Sequence, residues 1–416
     1  MALNPVLAPP DYPRDRSAAA TPLTGVRAAL AFAGPAFLVA VGYMDPGNWG
    51  TDLAAGSRFG YRLLWVLVAA NGVALALQYL SAKLGIATGK DLAALVGTRL
   101  GRGPRLAYWA VVEAAMLATE MAEFIGVVVA LRLLTGIALL PAAALGAALV
   151  LGLLASPNLR HIERAIFMLL GVVGGAYLLQ VLLAGPAPGP MLGGMLPRVD
   201  AGSLPVAVGI LGAVVMPHNL FLHSGLIRHR CGGAPPRRVL RRATIETVVA
   251  LNLALLVNGA ILLTSAAAFG ERGIEVLSLG QAHQALEPIL GPLAAGGFAI
   301  ALLAAGLASS TTGSLAGQYV LDGLLGIRTS ALTRRAITLV PAVVVLALGV
   351  NEVTALVWSQ VVLSLALPVV ALPLVVFTSR RDLMGDLVNG RPLRTAATVA
   401  TTALVIINAV LLLTAF

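Results

Sequence analysis

Two polar interruptions carry the chemistry of this chain. Tyr43-Met44-Asp45-Pro46-Gly47-Asn48 stands near the end of the first long apolar run, and Val215-Met216-Pro217-His218-Asn219 lies inside another, far downstream. A proline in a helix interior removes the amide that would bond the carbonyl four residues earlier, so Pro46 frees the carbonyl of Gly42 and Pro217 that of Ala213. The residue ahead of a proline is driven out of the α region, and those two places hold Asp45 and Met216, a hard anionic oxygen and a soft thioether. Backbone unwound inside a bilayer persists only where protein buries it or where it lines a cavity. Paired breaks of this kind, one in each half of a chain, point to a binding site near the membrane midplane. The donor set predicts a divalent cation as ligand. A thioether is useless to Ca²⁺ or Mg²⁺ and tolerable to Mn²⁺, Fe²⁺, Co²⁺ or Cd²⁺.

Other polar groups stand in apolar runs, where an ionisable side chain is costly and functional by default. Asn48 either caps the second half-helix or turns its oxygen to the ion, and we expect ligation. His218 is a ligand or a proton carrier, with proton handling preferred because imidazole titrates near neutrality. His223, five residues on, is about 140° around the helix and is expected to line an inner vestibule. Glu113, Glu120 and Glu123 fall within about 80° of one face of a third span. They form a proton relay, or each pairs with a neighbouring helix, for which Arg334 and Arg335 are the available partners; the relay is the expectation. Gln360 either offers an oxygen to the ion or bonds a neighbouring helix. The small-residue run from Gly306 to Gly317 reads as close helix packing in lipid.

The elements that must hold these groups are transmembrane helices. Of 416 residues, 58% are hydrophobic and 11% charged, and the mean hydropathy is +0.91, outside every soluble globular class. Apolar runs of spanning length recur throughout and predict an all-α polytopic membrane protein with about 11 transmembrane helices. The first runs from about Arg27 to Gly56 with its break at Asp45–Asn48; the sixth, near 203–227, holds the second break. The others lie near 62–84, 105–133, 137–156, 164–185, 242–269, 286–318, 335–350, 353–378 and 395–416. Residues 1–24 read as a disordered tail, and 25–416 as a single transporter domain. Two groups of five spans, about 25–185 and 203–378, each led by a broken helix, imply an inverted repeat, with an extra helix near 395–416.

The net charge of +10 is explained by topology, without nucleic acid. Of the 28 Lys and Arg residues, only Arg58, Arg62, Arg132, Arg198 and Arg272 fall on the side of the predicted membrane opposite the N-terminus. By the positive-inside rule this is a multi-pass protein of the cell (inner) membrane, its N-terminus cytoplasmic and its C-terminus extracellular or periplasmic. The single cysteine, Cys231, excludes an internal disulfide and a cysteine metal cluster. No H-E-x-x-H or comparable catalytic constellation occurs, so an enzyme is not expected. Nor is a permanently bound cofactor, and no obligate protein partner is evident.

Asp45-Pro-Gly-Asn48 together with Met216-Pro-His-Asn219 resembles the Nramp (natural resistance-associated macrophage protein) family of divalent metal transporters, over about residues 25–416. The resemblance implies a leucine-transporter-like 5+5 inverted repeat and proton-coupled import of Mn²⁺ and Fe²⁺, with Cd²⁺ and Co²⁺ also accepted. It also implies a metal site of Asp45, Asn48, Met216 and the Gly42 and Ala213 carbonyls, joined by Gln360 in some states. Glu123 matches the family's proton-path glutamate, and Arg334 with Arg335 its basic pair, whereas Glu120 stands where aspartate is common. Magnesium-carrying members lack the methionine, which argues against a magnesium specialist. On the same fold, a sodium-coupled amino-acid transporter is the alternative, and a divalent cation channel is the other.

Overall fold

The computed structural model describes residues 34–155, 159–228 and 234–415. The tail at 1–24, the first span's start near Arg27, and Cys231 lie outside them. Every regular element among the described residues is helical. The first break separates α1 (Pro35–Gly42) from α2 (Pro46–Phe59). Then come α3 (Leu64–Thr88), a short α4 (Leu92–Arg99), α5 (Arg102–Thr135), α6 (Leu139–Leu154), α7 (Leu159–Ala184) and a single turn and a half, α8 (Pro188–Gly193). The second break separates α9 (Leu204–Val214) from α10 (Pro217–Ile227). The remainder is α11 (Pro236–Ala268), α12 (Leu279–Leu290), α13 (Pro292–Leu325), α14 (Ala331–Ala347), α15 (Glu352–Thr378), α16 (Arg381–Met384) and α17 (Arg391–Ala415). Counting each broken pair once and leaving aside α4, α8, α12 and α16 gives the eleven expected units.

Among the described residues seven units are long and apolar enough to cross a membrane: α3, α5, the α9–α10 pair, α11, α13, α15 and α17. Shorter apolar helices occupy the α6 and α7 positions. Proline begins α1, α2 and α10, where its missing amide costs nothing because first-turn amides have no intrahelical partner. One boundary differs from expectation. The run taken as one span at 286–318 is two helices, because Gly291 adopts φ +90° and Pro292 starts α13 afresh.

The broken helices are the axis of the bundle. In the most apolar stretch of α9–α10, 89% of residues are buried, against 28% in α17, which lies at the periphery. α2 and α3 pack on α11, α9 on α15, α10 on α3, and α5 on α13. α11 also holds the first break through polar bonds. Glu246 accepts the Ala36 amide at 3.1 Å, Asn258 Nδ2 donates to Tyr43 O at 2.7 Å, and Ser265 Oγ donates to Leu53 O at 2.9 Å. At the α2 end of the bundle, connections are pinned by Arg58–Glu275 (2.8 Å), Arg62–Asp200 (2.6 Å) and Tyr61 Oη to Glu271 Oε1 (2.9 Å).

Candidate metal centre

The two breaks face each other. The Asp45 backbone is extended (φ −71°, ψ 162°) ahead of Pro46, so its side chain folds back over α2, where Oδ1 accepts the Asn48 amide at 2.8 Å. Asp45, not Asn48, is therefore the helix cap. Asp45 Oδ2 has no hydrogen-bond partner, although the residue is 0% exposed. Asn48 donates Nδ2 to Tyr43 O at 2.6 Å, which turns its Oδ1 the other way, also without a partner. Gln360 on α15 lies across Gly47: a β-carbon there would strike the Gln360 amide and sit 3.1 Å from Asp45 Oδ2. Gln360 Nε2 donates to Ser359 Oγ at 3.1 Å, and Oε1 is left over.

From the second break, Met216 is fully buried beside Ala115, Leu363 and Ala366. Its sulfur receives Asn219 Nδ2 at 3.5 Å, an amide that also reaches Val39 O at 3.3 Å. Asn219 Oδ1 is a fourth buried oxygen without a partner, close to Gly42. Asn219 stood in the motif yet outside the expected ligand set. Among the described residues Ala213 O receives no hydrogen bond from beyond its helix. Gly42 O departs from expectation, since the chain tightens past it and the Asp45 amide donates to it at 3.2 Å. One lone pair of that carbonyl is used and one remains.

Asp45, Asn48, Met216, His218 and Gln360 are each no more than 2% exposed, so the centre is closed to solvent. Trp49, next to Asn48 in sequence, is fully buried, edge-on to Tyr177 at 4.7 Å and to Phe298 at 5.4 Å. Among the described residues no group of three or more His, Cys, Asp and Glu converges. The centre thus offers one carboxylate among neutral oxygens and a thioether. Buried acceptors without donors each cost free energy, and a cation is the ligand that would satisfy several of them at once.

The α5 carboxylates meet α14 as ion pairs. Arg334 reaches Glu113 at 2.8 Å and Glu120 at 3.2 Å, while Arg335 reaches Glu120 at 3.0 Å and Glu123 at 3.4 Å. Thr338 Oγ1 donates to Glu120 as well. The ion-pair alternative is thus realised in this geometry, and Glu123 has the lightest pairing. His218 Nδ1 is buried without a hydrogen-bond partner. His223 does not line an open vestibule. It is 0% exposed, and its Nδ1 is 2.8 Å from Gln78 Oε1, whose amide donates to Tyr43 Oη at 2.8 Å.

The family model described as natural resistance-associated macrophage protein-like matches residues 36–414. The chain belongs to the Nramp family. A divalent metal cation transporter MntH of Verminephrobacter eiseniae is 44% identical to this Nramp chain over 399 residues, covering 94% of this chain and 91% of the relative. A mutant of the Eremococcus coleocola manganese transporter superposes with a TM-score of 0.82 at 31% identity, covering 95% of this chain and 89% of that one. The nucleobase-cation-symport-1 transporter Mhp1, at 18% identity, shares the fold with a TM-score of 0.62 over 92% of this chain and 90% of its own. The Nramp chain therefore has the leucine-transporter-like inverted-repeat fold, and its family comprises transporters, not enzymes.

Sequence reasoning passed over three polar partners of this Nramp core: Asn219, Gln78 and Asn258. Each is a lone amide in an apolar run, a visible signal, but one shared by amides that merely join two helices.

Proposed function

We propose that this chain imports divalent transition metal ions, Mn²⁺ and Fe²⁺ with Cd²⁺ and Co²⁺ also accepted, by proton-coupled alternating access across the cell (inner) membrane. The metal is held by Asp45, Asn48, Met216, Gln360 and the carbonyls of Ala213 and Gly42. The observation that carries this reading is the set of buried oxygens lacking donors around the two breaks, Asp45 Oδ2, Asn48 Oδ1 and Gln360 Oε1, next to a methionine sulfur. A single carboxylate leaves a dication half-neutralised, which favours binding strong enough to select and weak enough to release. Closure of the centre to solvent supports alternating access over an open pore. The Gln360 amide packed across Gly47 leaves little room for an amino-acid substrate.

In this reading the N-terminus is cytoplasmic and the C-terminus outside, supported by the lopsided distribution of Arg and Lys. Asp45, His218 and Glu123 carry the proton, and the Arg334–Arg335 pair with Glu120, Glu113 and His223 sets its path. The test is ⁵⁴Mn²⁺ uptake into proteoliposomes with competing Ca²⁺, Mg²⁺ and Cd²⁺ at two external pH values. Uptake that acid accelerates, that Cd²⁺ blocks, and that Ca²⁺ and Mg²⁺ leave alone is the expected result. Uptake indifferent to pH would remove the proton coupling, and block by Mg²⁺ equal to that by Cd²⁺ would remove the soft site.

A further inference from the structure

At the arginine-rich end of the bundle, α15 and α17 part around a cavity of about 310 Å³. One wall is apolar: Leu372, Val375 and Val376 stand at helical spacing on α15. The other is α17, which presents Arg394 and, one turn on, Thr398. Arg380 and Ser379, just past the end of α15, complete the rim. Deeper in, the seam is closed by buried Thr401 and by Ser364 Oγ donating to Asn408 Oδ1 at 3.0 Å, so the cavity is a blind wedge.

Its charge is unbalanced. Arg380 holds Asp382 through two bonds of 3.1 and 2.7 Å, and Asp382 is the one acid that reaches this rim among the described residues. Arg394 makes no ion pair within the described residues. It lies in the first turn of α17, where the amides of a helix start add positive potential. The apolar wall continues onto surface that faces outward from the bundle: Leu372 is 58% and Val376 47% exposed, with Val399 of α17 at 62%. A basic rim beside an outward apolar wall fits a molecule with a phosphate at one end and acyl chain at the other.

We propose that this wedge seats the headgroup of an anionic phospholipid, its phosphate on Arg394 and Arg380 and its chains along Leu372 and Val376. The orientation assigned above places the wedge in the cytoplasmic leaflet, where anionic lipids and basic pockets between helices meet. A free phosphate would use the guanidinium groups but gain nothing from the apolar wall. A zwitterionic headgroup would bring its own cation against two arginines.

The test titrates the full-length protein in detergent with phosphatidylglycerol, phosphatidylcholine and soluble glycerophosphate, counting retained lipid by native mass spectrometry and following thermal stability. Phosphatidylglycerol should bind about tenfold more tightly than phosphatidylcholine, and Arg394→Gln should erase that preference. Asp382→Asn, which removes the competing carboxylate, should strengthen binding. Arg328→Gln, an exposed arginine on the α13–α14 connection, should leave it unchanged. The proposal fails if both lipids bind equally, if Arg394→Gln changes nothing, or if glycerophosphate displaces the lipid at equal concentration. It also fails if Arg328→Gln matches Arg394→Gln, because a diffuse positive field would then account for the preference. Mn²⁺ uptake in phosphatidylcholine vesicles should persist in every variant, so the outcome is independent of the transport reading.

Discussion

Asp45 divides its work between two oxygens: Oδ1 caps α2, and Oδ2, buried without a hydrogen-bond partner, is the one proposed to meet the ion. Asp45→Asn preserves an oxygen for the cap and deletes the charge, so the fold should survive while transport does not. We expect thermal stability within about 1 kcal/mol of wild type and Mn²⁺ uptake at background, since removing the charged partner of a buried ion costs about 3–5 kcal/mol. Retained uptake would end the proposed site. Met216→Ala tests selectivity instead. It leaves an all-oxygen donor set, so Cd²⁺ should lose about tenfold in competition against Mn²⁺ uptake and Ca²⁺ should begin to compete. An unchanged ranking of the two competitors would make Met216 a packing residue.

At the residue scale, the sequence was readable wherever chemistry and backbone coincided. Asp45 and Met216 precede prolines in apolar runs, and helix packing alone calls for neither the break nor the donor. Gly42 was misjudged in part because removing the Pro46 amide does not stop the next amide back, that of Asp45, from turning onto the same carbonyl. Asn219 was underrated because a lone amide looks the same in sequence whether its oxygen is satisfied or not. Only its position beside Gly42 and Met216 distinguishes it.

At the scale of elements, the close approach of α15 to α2 depends on Gly47, whose missing side chain makes room for the Gln360 amide. Gly47→Ala should push Gln360 aside and open the contact. The expected result is a loss of uptake of at least about tenfold with a stability loss of about 1–3 kcal/mol, the usual cost of overpacking. Gly103→Ala, where a β-carbon meets open space, is the control and should do neither. The spans themselves were legible from apolar length. What escaped was the division at Gly291, because a glycine in a long apolar run reads as ordinary packing until its φ is known. The helix α4 escaped too, since eight residues in a loop carry little periodic signal, and α12 was hidden because its end was merged into the expected span at 286–318.

For the whole molecule, the proposed coupling makes proton and metal separate cargoes, and Glu123 is where they should come apart. Glu123→Gln should flatten the acceleration of uptake by external acid while leaving Mn²⁺ affinity within about threefold, as a relay group need not touch the ion. Equal loss of affinity and pH response would place it in the metal site. The ion pairs at the α2 end of the bundle supply a useful contrast. The Arg62 side chain, with help from Ser203, holds the Asp200 carboxyl well below the usual carboxylate range. Its folded pKa is depressed, so any stability it adds is present above the ordinary carboxylate value of about 3.9 and is lost only as pH falls towards the folded one. Asp200→Asn should therefore leave the pH profile of uptake between about pH 5 and 8 unchanged. A profile altered there would assign the pH response to the connections at the α2 end.

The polar bonds from α11 to the first break also bear on how the protein is made. Ala36–Glu246, Leu53–Ser265 and Tyr43–Asn258 join residues 210, 212 and 215 positions apart. At roughly 5–20 residues per second, the ribosome needs about 10–40 s to deliver those partners after the first break has emerged. Throughout that interval α1 and the break lack the lateral support that α11 supplies in the folded protein. The first break is thus among the last parts to settle, and the half-made chain must shelter a carboxylate in lipid or hold it back from the membrane. A cysteine at Thr51, in a Cys231→Ser background, would report this in stalled nascent chains. It should be open to alkylation in chains ending before Pro236 and protected once α11 has cleared the ribosome; protection from the start would mean that α1 and α2 dock without it.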